Sequence, residues 1–269
     1  GTAKPTADEM QGVPHHLMGF QDPAEPFSVS DYVALAGKVI EDIRARGKNV
    51  LLVGGTGLYA RSLLKAVPFT ENSRDDEIRG NLEAEFAADG IEPLYARLKE
   101  LDPEGAEGIH PNNMRRVIRA LEYCMVTGEP FSKQAKDSKA VESPYDGKML
   151  VLSFRDRETL YGRINLRVEQ MFADGLLKEA EDYFKRYGTP GQTSVQAIGY
   201  KELFPYFEGQ CSLDEAKENI KRETRRYAKR QLTWFRREED AVWLFADDFD
   251  APADLISAAE DIARAHFED

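Results

Sequence analysis

The chain has 269 residues, a formal net charge of −12, 42% apolar residues and 31% charged residues. That balance supports a packed core in one large domain or two small ones, and no apolar run approaches the roughly 20 residues that a membrane-spanning helix needs. An acidic whole argues against indiscriminate nucleic-acid binding, so any polyanion partner must be met by a local patch.

Cys124 and Cys211 are isolated, with no CxxC or Cys/His cluster around them. That removes a zinc site and a disulfide framework and points to a reducing, cytoplasmic setting. The chain opens on "GTAKPTADEMQGVPHHL", a loop-like segment. His15 and His16 lack nearby ligand partners and receive no metal or catalytic role.

"KNVLLVGGTGLYARSLLKA" reads as strand, tight turn and helix. Val50–Val53 is an apolar run suited to a strand buried on both faces, Gly54 and Gly55 turn the chain, and the helix runs from Leu58. Free N–H groups in such a turn bind an anion, with the Thr56 hydroxyl adding a hydrogen bond, or the turn is simply a tight βα connection. The GK[ST] ending of a Walker A loop does not follow.

Residues 71–142 show helical periods, as in "EIRGNLEAEFAADG" and "EPLYARLKELD", and no convincing strand. They read as a helical insertion domain, closed by the polar linker "SKQAKDSKAVESPYDGK". Residues 1–70 with 143–269 then form a discontinuous α/β core. Within the insertion, "HPNNMRRVIRALEYC" predicts a helix with Pro111 in its first turn. Arg115 and Arg119 share a face, with Arg116 beside them; taken alone, this is a surface helix with salt bridges.

"KMLVLSF" (148–154) is a second buried strand, and "AVWLF" (241–245) a third, giving a parallel sheet of α/β type. Between them, "LYGRINLRVEQMF" places Leu160, Ile164, Val168 and Met171 on one stripe. Arg167 falls inside the edge of that stripe, where a guanidinium needs a structural carboxylate or an anionic ligand to offset desolvation. In "TSVQAIGYKE", Thr193 or Ser194 caps a helix, Gln196 and Tyr200 sit one turn apart, and Gly199 permits a close backbone approach.

From Lys217 to Arg237 the chain carries nine basic and two acidic residues. Ser212 and Glu215 form a capping box at the start of this helix. Ala216, Ile220, Thr224, Tyr227, Gln231, Trp234 and Phe235 fall on one side of a helical wheel. Arg222, Arg225, Arg226, Lys229, Thr233 and Arg236 fall on the other, as a stripe roughly 21 Å long. A stripe of one sign on an acidic protein favours polyanion binding over a merely solvated face.

In order, "GTAKP", "PHH", "DPAEPFSV", "LLVGGTGLY", "IHPNNMRRVIRALE", "AIGYKE" and "AKRQLTWFR" resemble the isopentenyl-diphosphate:tRNA transferase family along nearly the whole chain. The resemblance implies a P-loop-NTPase-like parallel sheet core with a helical insertion. It implies transfer of a dimethylallyl group from dimethylallyl diphosphate to the exocyclic amine of an adenosine. That adenosine lies 3′-adjacent to the anticodon in tRNAs reading codons that begin with U. Implied partners are the tRNA anticodon stem-loop, dimethylallyl diphosphate and Mg2+, with no membrane, acting as a monomer.

By the same resemblance Arg167 holds the diphosphate, to which the N–H groups of the Gly54–Gly55 turn are also assigned as an anion site, and Thr56 and Arg79 lie near the reacting adenosine. Anticodon-loop contacts are implied for Arg115, Arg116, Val117, Ile118 and Arg119, and for Gln196, Ala197, Ile198, Gly199, Tyr200 and Lys201. They are also implied for Lys229, Arg230, Gln231, Leu232, Thr233, Trp234, Phe235 and Arg236, with Trp234 locking the helix to the core. The family's GPTxSGKT P-loop and its D-S-x-Q segment, which carries the general base, do not occur in these residues. The expectation is that an N-terminal part of the natural protein is absent here and that this chain alone is inactive. Rival readings are an adenylate isopentenyltransferase acting on free nucleotide, a non-catalytic RNA-binding module, and a nucleotide kinase sharing the core fold.

Overall fold

The computed structural model describes residues 4–64, 75–133, 136, 143–188 and 197–268. It divides into two compact units, residues 1–60 with 146–269, and residues 61–145.

In the first unit α1 (Ala7–Met10) and α2 (Val29–Ala45) come first, and α3 (Gly57–Leu64) begins in this unit and ends in the other. Then follow β1 (Leu150–Ser153), α8 (Arg157–Ala173), α9 (Leu176–Tyr187), α10 (Phe204–Phe207), α11 (Leu213–Phe235), β2 (Val242–Phe245) and α12 (Pro252–Glu268). β1 and β2 pair in parallel, from Leu150 opposite Val242 to Ser153 opposite Phe245. A parallel pair requires a long crossover, and here α8 to α11 supply it. Val168, Leu176, Ala180, Leu203, Ala216 and Ile220 are the buried residues on which those helices close.

Helix starts follow their local chemistry. Ser28 with Asp31, and Ser212 with Glu215, form capping boxes on α2 and α11. Asp156 caps α8 by accepting from the backbone N–H groups of Glu158 and Thr159. Each cap satisfies donors that the first turn leaves unpaired.

The first of the three expected strands, at 50–53, does not form. Residues 50–53 lie outside any strand, and Leu51 and Val53 are 85% and 81% exposed. The apolar run carries a strand's composition, but among the described residues no neighbour supplies the ladder of hydrogen bonds that defines one.

The second unit holds α4 (Asp76–Asp89), α5 (Glu92–Leu101), α6 (Pro103–Glu107) and α7 (Met114–Thr127). Leu82, Leu94, Leu98, Ile109, Val117, Ile118 and Leu121 form its core. Asp102, itself buried, accepts from the N–H of Gly105 at 2.9 Å and from the N–H and hydroxyl of Ser132 at 2.7 Å each. α7 begins at Met114 behind an Asn113 cap, so Pro111 stands in the preceding turn and not in the helix's first turn as the sequence suggested.

Candidate functional site

The glycine turn and the basic helix meet. Gln231 Nε2 donates to the carbonyl oxygen of Gly55 at 2.7 Å, and the hydroxyls of Thr56 and Tyr227 lie 3.5 Å apart, the outer limit of a hydrogen bond. A Cβ on Gly57 would stand 2.1 Å from Trp234 Cε3, and one on Gly55 2.1 Å from Gln231 Nε2. Neither glycine has positive φ. Their lack of a side chain is therefore required by the close approach of α11. Tyr227, Gln231 and Trp234 recur at three- and four-residue spacing, which puts them on one face of α11. Trp234 locks α11 against Gly57, and its neighbour Phe235 meets it edge-to-face at 5.1 Å.

The opposite face is exposed at Arg222, Arg226, Lys229, Thr233 and Arg236. Arg226 pairs with Glu223 at 2.6 Å, and Arg222 approaches the same carboxylate at 3.9 Å. Among the described residues Lys229, Arg230 and Arg236 form no ion pair; the Arg230 guanidinium lies 5.6 Å from the Tyr227 ring centre. Arg225 corrects the expected stripe. It is half-buried and donates to Asn165 Oδ1 on α8 at 2.6 Å, so it serves the packing between helices. Gln231, Leu232, Trp234 and Phe235 are also half-buried, while Arg230 is exposed with the stripe.

The arginines of the second unit are arranged differently. Glu122 on α7 is fully buried. Its carboxylate accepts from Arg79 Nε at 3.3 Å and Nη2 at 2.5 Å, from Arg119 Nη1 at 3.0 Å, and from the Asp75 backbone N–H at 3.1 Å. Burial alone would raise this carboxyl, but the hydrogen bonds from Arg79, Arg119 and Asp75 outweigh it and hold the group below its ordinary value. Arg115 and Arg116 are exposed. Val117 and Ile118 are not available for RNA contact through their side chains, being 0% and 3% exposed in the core. The α7 period that aligns the arginines outward necessarily turns these two inward.

Arg167 also departs from expectation. The stripe of Leu160, Ile164, Val168 and Met171 packs inward, but Arg167 is exposed, with the charge of Glu9 acting across to it. It stands just outside the apolar stripe.

Gln196, Thr193 and Ser194 lie outside the described residues. Residues 197–203 form a bend and turns, not the expected helix. Gly199 has φ +104°, a backbone conformation that ends a helix and suits glycine; it is buried, whereas Ala197 is exposed and Ile198 half-buried. The Gly199 N–H donates to Glu202 Oε2 at 2.8 Å. Glu202 Oε1 is buried without a hydrogen-bond partner, 3.7 Å from Lys201 Nζ, and burial raises its carboxyl. The Tyr200 hydroxyl donates to the Glu179 carboxylate, and burial together with that bond pushes the phenol upward.

Sequence reasoning missed Tyr227 and Glu122 as members of these sites. Tyr227 was on the correct face of the wheel, and Glu122 stands three residues after Arg119, a spacing at which charges meet. Among the described residues no group of three or more His, Cys, Asp or Glu could hold a metal ion. A cavity of about 500 Å³ in the second unit is lined by Ile91, Glu92, Tyr95, Ala96, Lys99, Glu100, Pro111 and Asn112, none of which is an expected site residue.

A parallel strand pair with helical crossover, together with a glycine turn overlaid by a cationic helix, defines an α/β protein of P-loop-like architecture. The chain belongs to the IPP transferase family, which it matches over residues 1–238. It is 46% identical over 250 residues to the tRNA dimethylallyltransferase of Halalkalibacterium halodurans, covering 93% of this chain and 79% of that one. Its fold is similar to that of the full-length tRNA isopentenylpyrophosphate transferase of Bacillus halodurans, with TM-score 0.69 and 43% identity over 99% of this chain and 83% of that one. It also resembles a eukaryotic dimethylallyltransferase acting on tRNA, with TM-score 0.79 and 28% identity over 97% of this chain and 68% of that one.

Proposed function

We propose that the chain is a tRNA dimethylallyltransferase, transferring a dimethylallyl group from dimethylallyl diphosphate to the exocyclic amine of the adenosine 3′-adjacent to the anticodon, in tRNAs reading codons that begin with U. Its relatives carry that name. The single structural observation that supports it is the two-faced α11: Tyr227, Gln231 and Trp234 touch the turn bearing Thr56, while Arg222, Arg226, Lys229 and Arg236 face solvent on the same helix. A helix with this arrangement grips a phosphate backbone and positions a reaction centre with one rigid element. A free nucleotide does not require so long a stripe.

The adenine leaves its stack to reach the turn. Its amine forms a bond to the allylic carbon as the bond from that carbon to the diphosphate oxygen breaks, and the amine loses a proton to a general base. In the family that base belongs to the D-S-x-Q segment, so no residue of this sequence is given the role. Arg167 and the backbone N–H groups of Gly54 and Gly55 receive the charge that accumulates on the diphosphate. The Thr56 hydroxyl stands beside the adenosine. Mg2+ is proposed as the counter-ion of the diphosphate, where it would neutralise the leaving group's charge.

Residues 1–70 with 143–269 are proposed as the α/β core and 71–142 as an inserted helical domain; the division of the chain after Ala60 and Tyr145 supports this. A cytoplasmic monomer is proposed; the two free cysteines fit a reducing compartment. The test is mass spectrometry of tRNA incubated with dimethylallyl diphosphate and the full-length gene product. Gain of a dimethylallyl group on the anticodon-loop adenosine is expected; unmodified tRNA would overturn the reading.

A further inference from the structure

We propose that Glu202 is a proton-operated latch on Lys201, holding it when the carboxyl is ionised and releasing it to an RNA phosphate when the carboxyl is protonated; this role rests on the reading of the chain as a tRNA-modifying enzyme. Glu202 is only 8% exposed. Its Oε2 accepts from the Gly199 N–H at 2.8 Å, while Oε1 is buried without a hydrogen-bond partner. Buried polar atoms are nearly always paired, so this oxygen needs a physical account. Lys201 Nζ stands 3.7 Å from Oε1, inside ion-pair range and beyond a hydrogen bond, on a side chain that is 39% exposed. The ammonium is neither committed to the carboxylate nor away from it.

An ionised Oε1 draws the ammonium in to the roughly 2.8 Å of a charge-assisted bond. A protonated Oε1 is a donor with little to offer a cation, and Lys201 is then free to meet a phosphate. The surroundings set the balance between these states. Burial comes first and favours the neutral carboxyl; Met171 of α8 and Leu176 of α9 lie against Gly199 beside it. Glu223 on α11 acts in the same sense, and its own carboxylate is engaged by Arg226 at 2.6 Å and approached by Arg222 at 3.9 Å. Lys201 acts in the opposite sense, as does the Gly199 N–H. On α9, Glu179 is taken by the Tyr200 hydroxyl. The net effect holds Glu202 above its ordinary value.

A latch differs from an inert buried acid. An inert acid makes stability depend on pH and leaves RNA binding alone. A latch makes RNA binding depend on pH through Lys201. The experiment uses the full-length protein and measures tRNA affinity against pH and salt, the KM and kcat of transfer, and thermal melting for wild type, Glu202→Gln and Lys201→Ala.

Wild type is expected to lose about tenfold in tRNA affinity as pH rises through the Glu202 transition, the scale of one hydrogen bond to a charged group, with the loss on KM rather than kcat. On the acid side the slope of log affinity against log salt should be steeper by about one, because one more phosphate is contacted there. Glu202→Gln is uncharged and should keep the acid-side affinity and slope at every pH. Lys201→Ala should keep the weaker affinity and shallower slope at every pH, and it decides the matter alone if Glu202→Gln fails to fold. By linkage, tRNA binding near the transition takes up a proton in wild type that neither variant takes up. Affinity of wild type that is flat with pH, or a pH dependence that either folded variant retains in full, overturns the latch and leaves Glu202 an inert buried acid. Wild-type protein that neither binds nor modifies tRNA overturns the functional reading itself.

Discussion

Two groups of cations meet different fates. On α11, Arg222, Arg226, Lys229 and Arg236 are exposed, and the neighbouring acid, Glu223, is itself part of the helix surface. On α4 and α7, Arg79 and Arg119 converge on Glu122, a carboxylate with no exposed surface. Periodicity identifies a basic face on α11, and on α7 through Arg115 and Arg119. Whether its cations are committed to an internal carboxylate depends on which helix packs opposite, and that is a tertiary fact. The exposed group should therefore govern function at little cost in stability, and the committed group should govern both.

Arg167 offers the largest test of that division, since it belongs with the exposed cations. Arg167→Ala in the full-length protein should lower the single-turnover rate by about 10²–10³, with melting temperature and tRNA affinity near wild type. A loss of rate matched by loss of stability would place Arg167 with the committed arginines and remove it from the active site.

Next in size are the glycines beneath α11. Gly57→Ala sets a Cβ against the Trp234 ring, a broad side chain packed at the turn, and should cost about 1–3 kcal/mol. Gly55→Ala meets only the mobile end of Gln231; it displaces one hydrogen bond and should cost about 0.5–1.5 kcal/mol. Chemical denaturation of both variants checks the order. Equal effects would mean that Trp234 does not lock the helix to the turn.

Smaller again are single changes in the stripe. Arg222→Ala, Arg226→Ala and Lys229→Ala should each weaken tRNA binding and reduce the slope of log affinity against log salt by about one, with no change in melting. A flat salt response would make the stripe a solvated face.

The smallest effects concern two buried glutamates of opposite sign. Glu122 is held below its ordinary value of 4.5. Its stabilisation is present above that value in the unfolded chain and is lost as pH falls through the lowered folded value. Glu202 is raised above 4.5, so its favourable contribution is present below that value and is lost as pH rises through the raised one. Melting temperature against pH should therefore lose part of its acid limb in Glu122→Gln and part of its decline toward neutrality in Glu202→Gln. The reverse assignment would show that the hydrogen bonds to Glu122, or the burial of Glu202, are wrong.

Much of this was legible along the chain where the signal is local. The Ser212–Glu215 cap, the strands at 150–153 and 242–245, and the face of α11 bearing Tyr227, Gln231 and Trp234 follow from neighbours within a few residues. Contacts between distant elements were not legible. The half-buried Arg225 depends on Asn165, sixty residues away. Val50–Val53 has strand composition but no ladder. At the edge of the α8 stripe, one step around the helix separates buried Val168 from exposed Arg167, a difference finer than an ideal wheel resolves. Gly199 suggested close packing in a helix, but its positive φ makes a turn; spacing alone does not tell these apart.

The central claim is that α11 joins an RNA-gripping face to a reaction centre, so the acceptor must be tRNA. Transfer from labelled dimethylallyl diphosphate by the full-length protein, measured side by side with tRNA and with free adenosine monophosphate over a range of salt, tests it most directly. The account predicts that tRNA is prenylated, that kcat/KM for tRNA falls steeply with salt, and that the free nucleotide is a poor acceptor at every salt concentration. Efficient prenylation of the free nucleotide, or transfer to tRNA indifferent to salt, would contradict it.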